Sequence, residues 1–531
     1  MHHELLLYNA RIHPLATPQP VADAILLRGG RVAAVGRRQE IPALSAGRRE
    51  TLDLRGRCVL PGFIDAHIHL LALGLFRRRL QLAGCRFLGE CLERVRTAAD
   101  SAEPGEWILG GGWDRNLWGT GAPSRESLDL AAPRNPVALS SKDLHALWLN
   151  SEGLRLVGIR RDSPNPPGGL IERDALGEPT GILKEAAAIT AYMAADRPSP
   201  ATCQSALRDA IAELQRLGVT SVHVPEDQRT WHALQTLRAA GALGLRVYML
   251  PPASSLPHLA ALGLHSGFGD EFLRLGPIKV FADGSLGTQT AALLRPYQGR
   301  QDRGVSVTPR RTLRKLAERG AAAGIALAVH AIGDRAVRNT LDALETAKAV
   351  EGRSELRHRL EHLQLVDPRD LPRIARLGVV ASVQPLHAVS DRALAETYWG
   401  ERCAHAYPYH SLLSAGAVLA GGSDAPVESP NPLLGIRAAV TRRQAASEEP
   451  WHPEQRLSVI EALRTYTWGG AFASGEEQIK GTLEPGRLAD LVVLSDDIFS
   501  MPPDSIGDLT VVGTIVGGEV VWTEGFGTSS T

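Results

Sequence analysis

The strongest chemical signal in the chain is Asp65-Ala66-His67-Ile68-His69, set directly after a Pro61-Gly62 break. In a strand, side chains two apart share a face, so His67 and His69 are expected to point inward together with Asp65 below them. Two imidazoles so placed can chelate one divalent cation. A lone histidine on an apolar strand is usually a satisfied core residue. Three distant groups shift that balance: His330 ends IALAVH, His362 ends RLEH and Asp424 ends VLAGGSD, each followed by loop residues. Together the four histidines and the aspartate form a nitrogen and oxygen ligand set suited to Zn²⁺ or a neighbouring divalent ion. Lys279 closes a fourth apolar run, Gly276-Pro277-Ile278-Lys279-Val280-Phe281, where an unpaired buried ammonium would be costly.

These residues need elements to bring them together. Eight segments read as barrel strands: GFIDAHIH, VTSVHV, LRVYML, PIKVFADG, IALAVHAIGD, HRLEHLQ, GVVASVQP and VLAGGSDAPV. They alternate with helical stretches such as TCQSALRDAIAELQRLG and PRRTLRKLAERGAAAG, the pattern of parallel βα units, and eight is the number a TIM-type (β/α)₈ barrel needs. Each chemical group then falls at a strand end, where barrels build their active sites. Between the first two strands lie about 130 residues, more than a βα connection holds, so an insertion subdomain at about 75–200 is expected over the barrel mouth. From it Trp113, Asp114, His145 and Trp148 are candidates for substrate binding, with Asp283 from the loop after Lys279. Short strands with glycine-pair turns at both chain ends, residues 1–60 and 481–531, are expected to build one composite β-sandwich flanking a barrel at 61–480.

Bulk properties narrow the partners. Lys plus Arg and Asp plus Glu both number 58, so no global field favours nucleic acid or an anionic membrane, and the expected ligand is a small molecule. Five scattered cysteines without a CxxC pair argue against a disulfide framework or a thiolate metal site, which fits a reducing cytoplasm. No apolar run is long enough to span a membrane. Oligomeric state is open, a homo-oligomer included.

The sequence resembles the amidohydrolase superfamily, and within it the YtcJ-like group, amidohydrolase family 3, which includes N-substituted formamide deformylase. The carriers are PGFIDAHIHL, GGGWDRN, SKDLHALWLN, IKVFADGSLGTQTAAL, AVHAIGDRAV, LEHLQL, SVQP, GGSDAPVESPNPL and GTLEPGRLADLVVL. The resemblance implies one or two divalent ions, zinc foremost, with His67 and His69 on one, His330 and His362 on the other, and Asp424 beside the first. It also places Lys279 where many superfamily members carry a lysine carboxylated by CO₂ that bridges two ions, which would turn an awkward buried cation into an anionic ligand; the alternative is a plain lysine beside a single ion.

That ligand set predicts hydrolysis of an amide C–N bond, of N-acyl or N-formyl type, in a small molecule by a metal-activated hydroxide, with Asp424 as general base. An N-substituted formamide is the substrate that the resemblance implies. Two other readings are a metal-dependent deaminase of a ring amine or imine, and a non-catalytic barrel with a binding role.

Overall fold

The computed structural model describes residues 4–16, 22–41, 49–119, 121–351 and 356–525. Eight short parallel strands form the centre: β1 (Phe63–Asp65), β2 (Val219–Val224), β3 (Arg246–Met249), β4 (Ile278–Phe281), β5 (Leu327–Ala331), β6 (Arg359–His362), β7 (Val380–Val383) and β8 (Leu419–Gly421). Ladders join β1 to β2 to β3 and β4 through β8 in order. Two seams close the circle. Lys279 N donates to Pro251 O at 2.7 Å beside β3, and Ala66 N donates to Gly421 O at 2.9 Å between β1 and β8. This is the expected (β/α)₈ barrel, and its strands read as near-continuous apolar runs because helices cover one face and the barrel core the other.

The helices carry their own start signals. Pro200–Arg216 begins with Ser199 accepting from Thr202 N and with proline in its first turn, and it packs Ala206, Leu207, Ala210 and Leu214 inward. Asp334–Lys348, which follows β5 with an acidic residue in its first turn, packs Val337, Leu341 and Leu344 inward. Among the described residues no helix is long and apolar enough to cross a membrane.

Strands from both chain ends meet in one eight-stranded sheet, where Cys58–Pro61 pairs with Glu4–Ile12 on one side and Leu491–Leu494 on the other. A buried ion pair fastens this sheet to the barrel: Arg246 of β3 makes two hydrogen bonds to Asp490, at 2.7 and 2.9 Å. Both side chains are almost wholly buried. Arg246→Ala should therefore cost about 3–5 kcal/mol, because it strands the Asp490 carboxylate in the interior. Chemical denaturation with an unchanged slope and a lowered midpoint would show it.

Between β1 and β2, residues 80–185 contribute a six-stranded sheet whose ends reach the barrel mouth. Its contacts there are polar: Ser285 Oγ donates to Asp143 at 2.5 Å, Asn116 Nδ2 donates to Gly287 O at 3.3 Å, and Lys142 lies 2.9 Å from Glu428.

Candidate metal centre and active site

β1 is shorter than its sequence pattern predicts. The ladder stops at Asp65, His67 lies in the bend beyond it, and His69 opens the helix Leu70–Phe76. Asp65 is the cause. Its carboxylate accepts from His67 N, Ser423 N and Ser423 Oγ, which pins β1 to β8 and turns the chain. It acts as a strand-end clamp and makes no hydrogen bond to either imidazole, contrary to the inward pointing expected of it. Burial pushes its carboxyl up to about 7.

His67 and His69 nonetheless converge on Asp424, their Nε2 atoms standing 3.6 and 3.3 Å from its Oδ1. The Lys279 amine lies 3.3 Å from His67 Nε2. The His362 ring stands 4.9 Å from His67 and 4.5 Å from His330, centre to centre. So β1, β4, β5, β6 and β8 deliver all six predicted residues to one rim. The backbone strains to do so, since Asp424 and His362 hold φ values of 58° and 80°, a region that non-glycine residues seldom occupy.

Two overlapping triads place ligand atoms within 4.8 Å of one another: His67, His69, Asp424, and His362, His387, Asp424. His330 stands beside the second triad rather than in it, and His387 is a member that strand-end reasoning missed. Asp424 Oδ1 is buried with no hydrogen-bond partner among the described residues, a situation that costs about 1–3 kcal/mol unless something else satisfies the atom. A divalent cation fits this vacancy in bonding and the donor chemistry around it.

Hydrogen bonds settle which nitrogen of each ring is free. His67 Nδ1 donates to Glu361 at 2.5 Å, His330 Nε2 donates to Gly284 O at 3.1 Å, and His362 Nδ1 donates to Gln384 Oε1 at 2.8 Å. The second nitrogen of each neutral ring then keeps its lone pair, as metal ligation requires. Burial holds the His67 imidazolium down to about 4, aided by the Lys279 charge, and holds those of His330 and His362 well below their ordinary range. Burial also works against the Asp424 carboxylate, but His69, with its Nε2 3.3 Å from Oδ1, and the surrounding imidazoles keep it well below the usual range. For Lys279, burial outweighs Glu361 and Asp424 and brings the ammonium down to about 8.

Glu361 was also missed, although its position in β6 made it findable. It is two residues from Arg359, so both face inward, and two buried charges in one short strand demand partners. Arg359 donates to Glu361 at 2.6 Å, to Ser382 Oγ at 2.8 Å and to His223 Nδ1 at 2.7 Å. Glu361 in turn orients His67. Glu361→Gln should weaken metal binding about 10–100-fold, measured by chelator competition, since carboxylate partners fix ring orientation and raise ligand basicity.

A cavity of about 770 Å³ opens over the rim, walled in part by Trp113, Asp114, His145, His330, His387 and Asp424. His145 reaches it from the insertion, with Nδ1 2.7 Å from Glu185, whose carboxylate raises the imidazolium to about 9 against the opposing effect of burial. Two substrate-binding expectations do not match the geometry. Trp148 is fully buried, packs against Trp113 and Trp118, and donates to Ser124 O at 3.0 Å, so it belongs to the insertion's core. Asp283 is fully buried too. It accepts from the backbone N–H groups of Ala292, Ile332 and Gly333 at 2.8–3.0 Å, which ties the loop after β4 to the end of β5 and takes the carboxylate away from the cavity wall.

A closed barrel with imidazoles, a carboxylate and an amine gathered at its mouth is the architecture of a metal-dependent hydrolase. Residues 50–522 match the amidohydrolase family. The chain is 33% identical to Protein LONG AFTER FAR-RED 3 of Arabidopsis thaliana, across 98% of this chain and 91% of that protein. It is 30% identical to N-substituted formamide deformylase of Arthrobacter pascens, across 97% of both. Among solved structures, an uncharacterized metal-dependent hydrolase from Pyrococcus furiosus superposes with a TM-score of 0.74 at 31% identity, covering 93% of this chain and 99% of that one. The protein belongs to the amidohydrolase family.

Proposed function

We propose that the protein hydrolyses an amide C–N bond of a small molecule, with an N-substituted formamide as the leading substrate class. The observation that carries this reading is the ionised, unsatisfied Asp424 carboxylate facing neutral imidazoles at the floor of the cavity over the barrel rim. The formamide class draws its support from the Arthrobacter pascens relative, which aligns from end to end.

His67, His69 and Asp424 would hold one divalent ion, and His362 and His330 a second, with carboxylated Lys279 between them. When bound, such ions lower the pKa of water towards ~7 and polarise a carbonyl. The remaining work belongs to the chain. Asp424, kept ionised, accepts a proton from the attacking water and passes it to the leaving nitrogen. Glu361 holds His67 in the tautomer that leaves Nε2 unprotonated. Asp114 and His145 border the space for the substrate's nitrogen substituent, and a cavity of this size admits one considerably larger than the formyl group.

A panel of N-substituted formamides, longer N-acyl amides and ring amines, assayed with metal-loaded protein, tests the assignment. Formate and a free amine should appear from the first group. Ammonia from the ring amines alone would assign the site to deamination, and no turnover of any member would leave a binding role.

A further inference from the structure

His387 differs from His67, His330 and His362 in its hydrogen bonding. It lies in the helix Pro385–Ser390 just beyond β7, is 5% exposed, and helps to wall the cavity. Its Nδ1 accepts a hydrogen bond from Gln364 Nε2 at 3.2 Å, whereas His67, His330 and His362 each donate from one nitrogen to a protein oxygen. The protein therefore engages the opposite group of this ring: it takes the lone pair of His387, where it takes the N–H of the other three. The other three rings keep a lone pair free, and His387 presents an Nε2–H.

That N–H is buried and has no partner among the described residues. Asp424 Oδ2 stands 3.9 Å away, too far for a hydrogen bond yet close enough to place the N–H beside the reacting groups. Buried donors left unsatisfied are rare, and those facing a cavity are commonly completed by what enters it. A nitrogen that carries a proton does not ligate a metal, so His387 is set apart from the triad geometry it shares with His362 and Asp424.

We infer that His387 is a catalytic residue whose Nε2–H donates a hydrogen bond to the oxygen of the scissile carbonyl as charge builds on it, and that Gln364 is the positioning residue that sets its tautomer. The inference rests on the hydrolytic reading above for the identity of that oxygen. A fixed donor aimed at a developing oxyanion is worth about 10²–10³-fold in kcat when removed singly.

The experiment compares wild type, His387→Ala, His387→Gln and Gln364→Glu, each metal-loaded, in three measurements: bound metal by elemental analysis, affinity for methylphosphonate by calorimetry, and kcat on any amide the wild type turns over. Methylphosphonate offers tetrahedral oxyanions without requiring turnover, which separates this inference from the substrate assignment. Removing the donor should leave metal content unchanged, weaken methylphosphonate at least about tenfold and lower kcat about 10²–10³-fold. His387→Gln, which retains an N–H, should recover part of both losses. Gln364→Glu should lower kcat and methylphosphonate affinity less than His387→Ala does, because a carboxylate draws the ring proton to Nδ1 and leaves Nε2 protonated only in the fraction of rings that carry both protons. Loss of metal in His387→Ala would make the residue a ligand and overturn the inference. Equal methylphosphonate affinity in wild type and His387→Ala, or none in either, would overturn it as well. Failure of every amide beside an intact methylphosphonate difference would refute only the substrate assignment.

Discussion

Removing the bound ions with a chelator should abolish turnover, and Asp424→Asn should stay inactive after the ions are returned. Both effects follow from one geometry. The Asp424 carboxylate is shared by the two triads of ligand atoms and has an oxygen with no other partner. Asparagine conserves shape but removes the charge that binds a cation and the basicity that accepts a proton, so kcat should fall by about 10³-fold or more. The measurement pairs elemental analysis with rate. Chelated wild type should regain its rate with Zn²⁺, Mn²⁺ or Co²⁺. Asp424→Asn should bind less metal and remain slow even when saturated. Unchanged rates in metal-free protein, or an asparagine variant as fast as wild type, would remove the basis of the proposed mechanism.

Barrels and their rims are legible in sequence for a physical reason. Each parallel strand is buried on both faces, so it appears as a short apolar run, and a polar residue at its end stands out against that background. His67, His69, Lys279, His330, His362 and Asp424 were all found in this way, and the structure brings them together at one rim. What the pattern cannot carry is the direction of a side chain once the ladder has ended. Asp65 sits in the same short motif as His67 and His69, yet its carboxylate turns to Ser423, 358 residues away, because the N–H groups at the β1–β8 seam need an acceptor. Asp283 resembles a cavity residue from its glycine-rich surroundings and serves instead as acceptor for three backbone N–H groups.

The insertion was less legible. Trp113, Trp118 and Trp148 lie within 6.0 Å of one another as a packed core, and only tertiary contact distinguishes a tryptophan that fills a core from one that forms a platform for ligand. His387 escaped notice for the opposite reason. It lies three residues past the last polar signal of its strand, in a helix whose spacing announces no chemistry, and its importance comes from one hydrogen bond to Gln364.

The largest remaining effect concerns Lys279. The residue is 4% exposed, and burial brings the ammonium down to about 8, so an appreciable neutral fraction exists near neutral pH and grows as pH rises through that value. Only the neutral amine adds to CO₂: an N–C bond forms, the nitrogen loses a proton, and the carbamate oxygens can then ligate. Carboxylation and binding of the second ion should therefore strengthen from pH 6 to pH 8 and fail in CO₂-free buffer. ¹³C spectra of protein loaded with labelled bicarbonate, together with metal stoichiometry, would follow both. Lys279→Ala should lose the second ion and about 10²–10³ in kcat, equivalent to the several kcal/mol a polarising cation contributes. Short carboxylates such as acetate or propionate should restore part of that loss by supplying the missing oxygen pair. Rescue by a small amine and not by a carboxylate would instead assign Lys279 the role of an unmodified base beside a single ion.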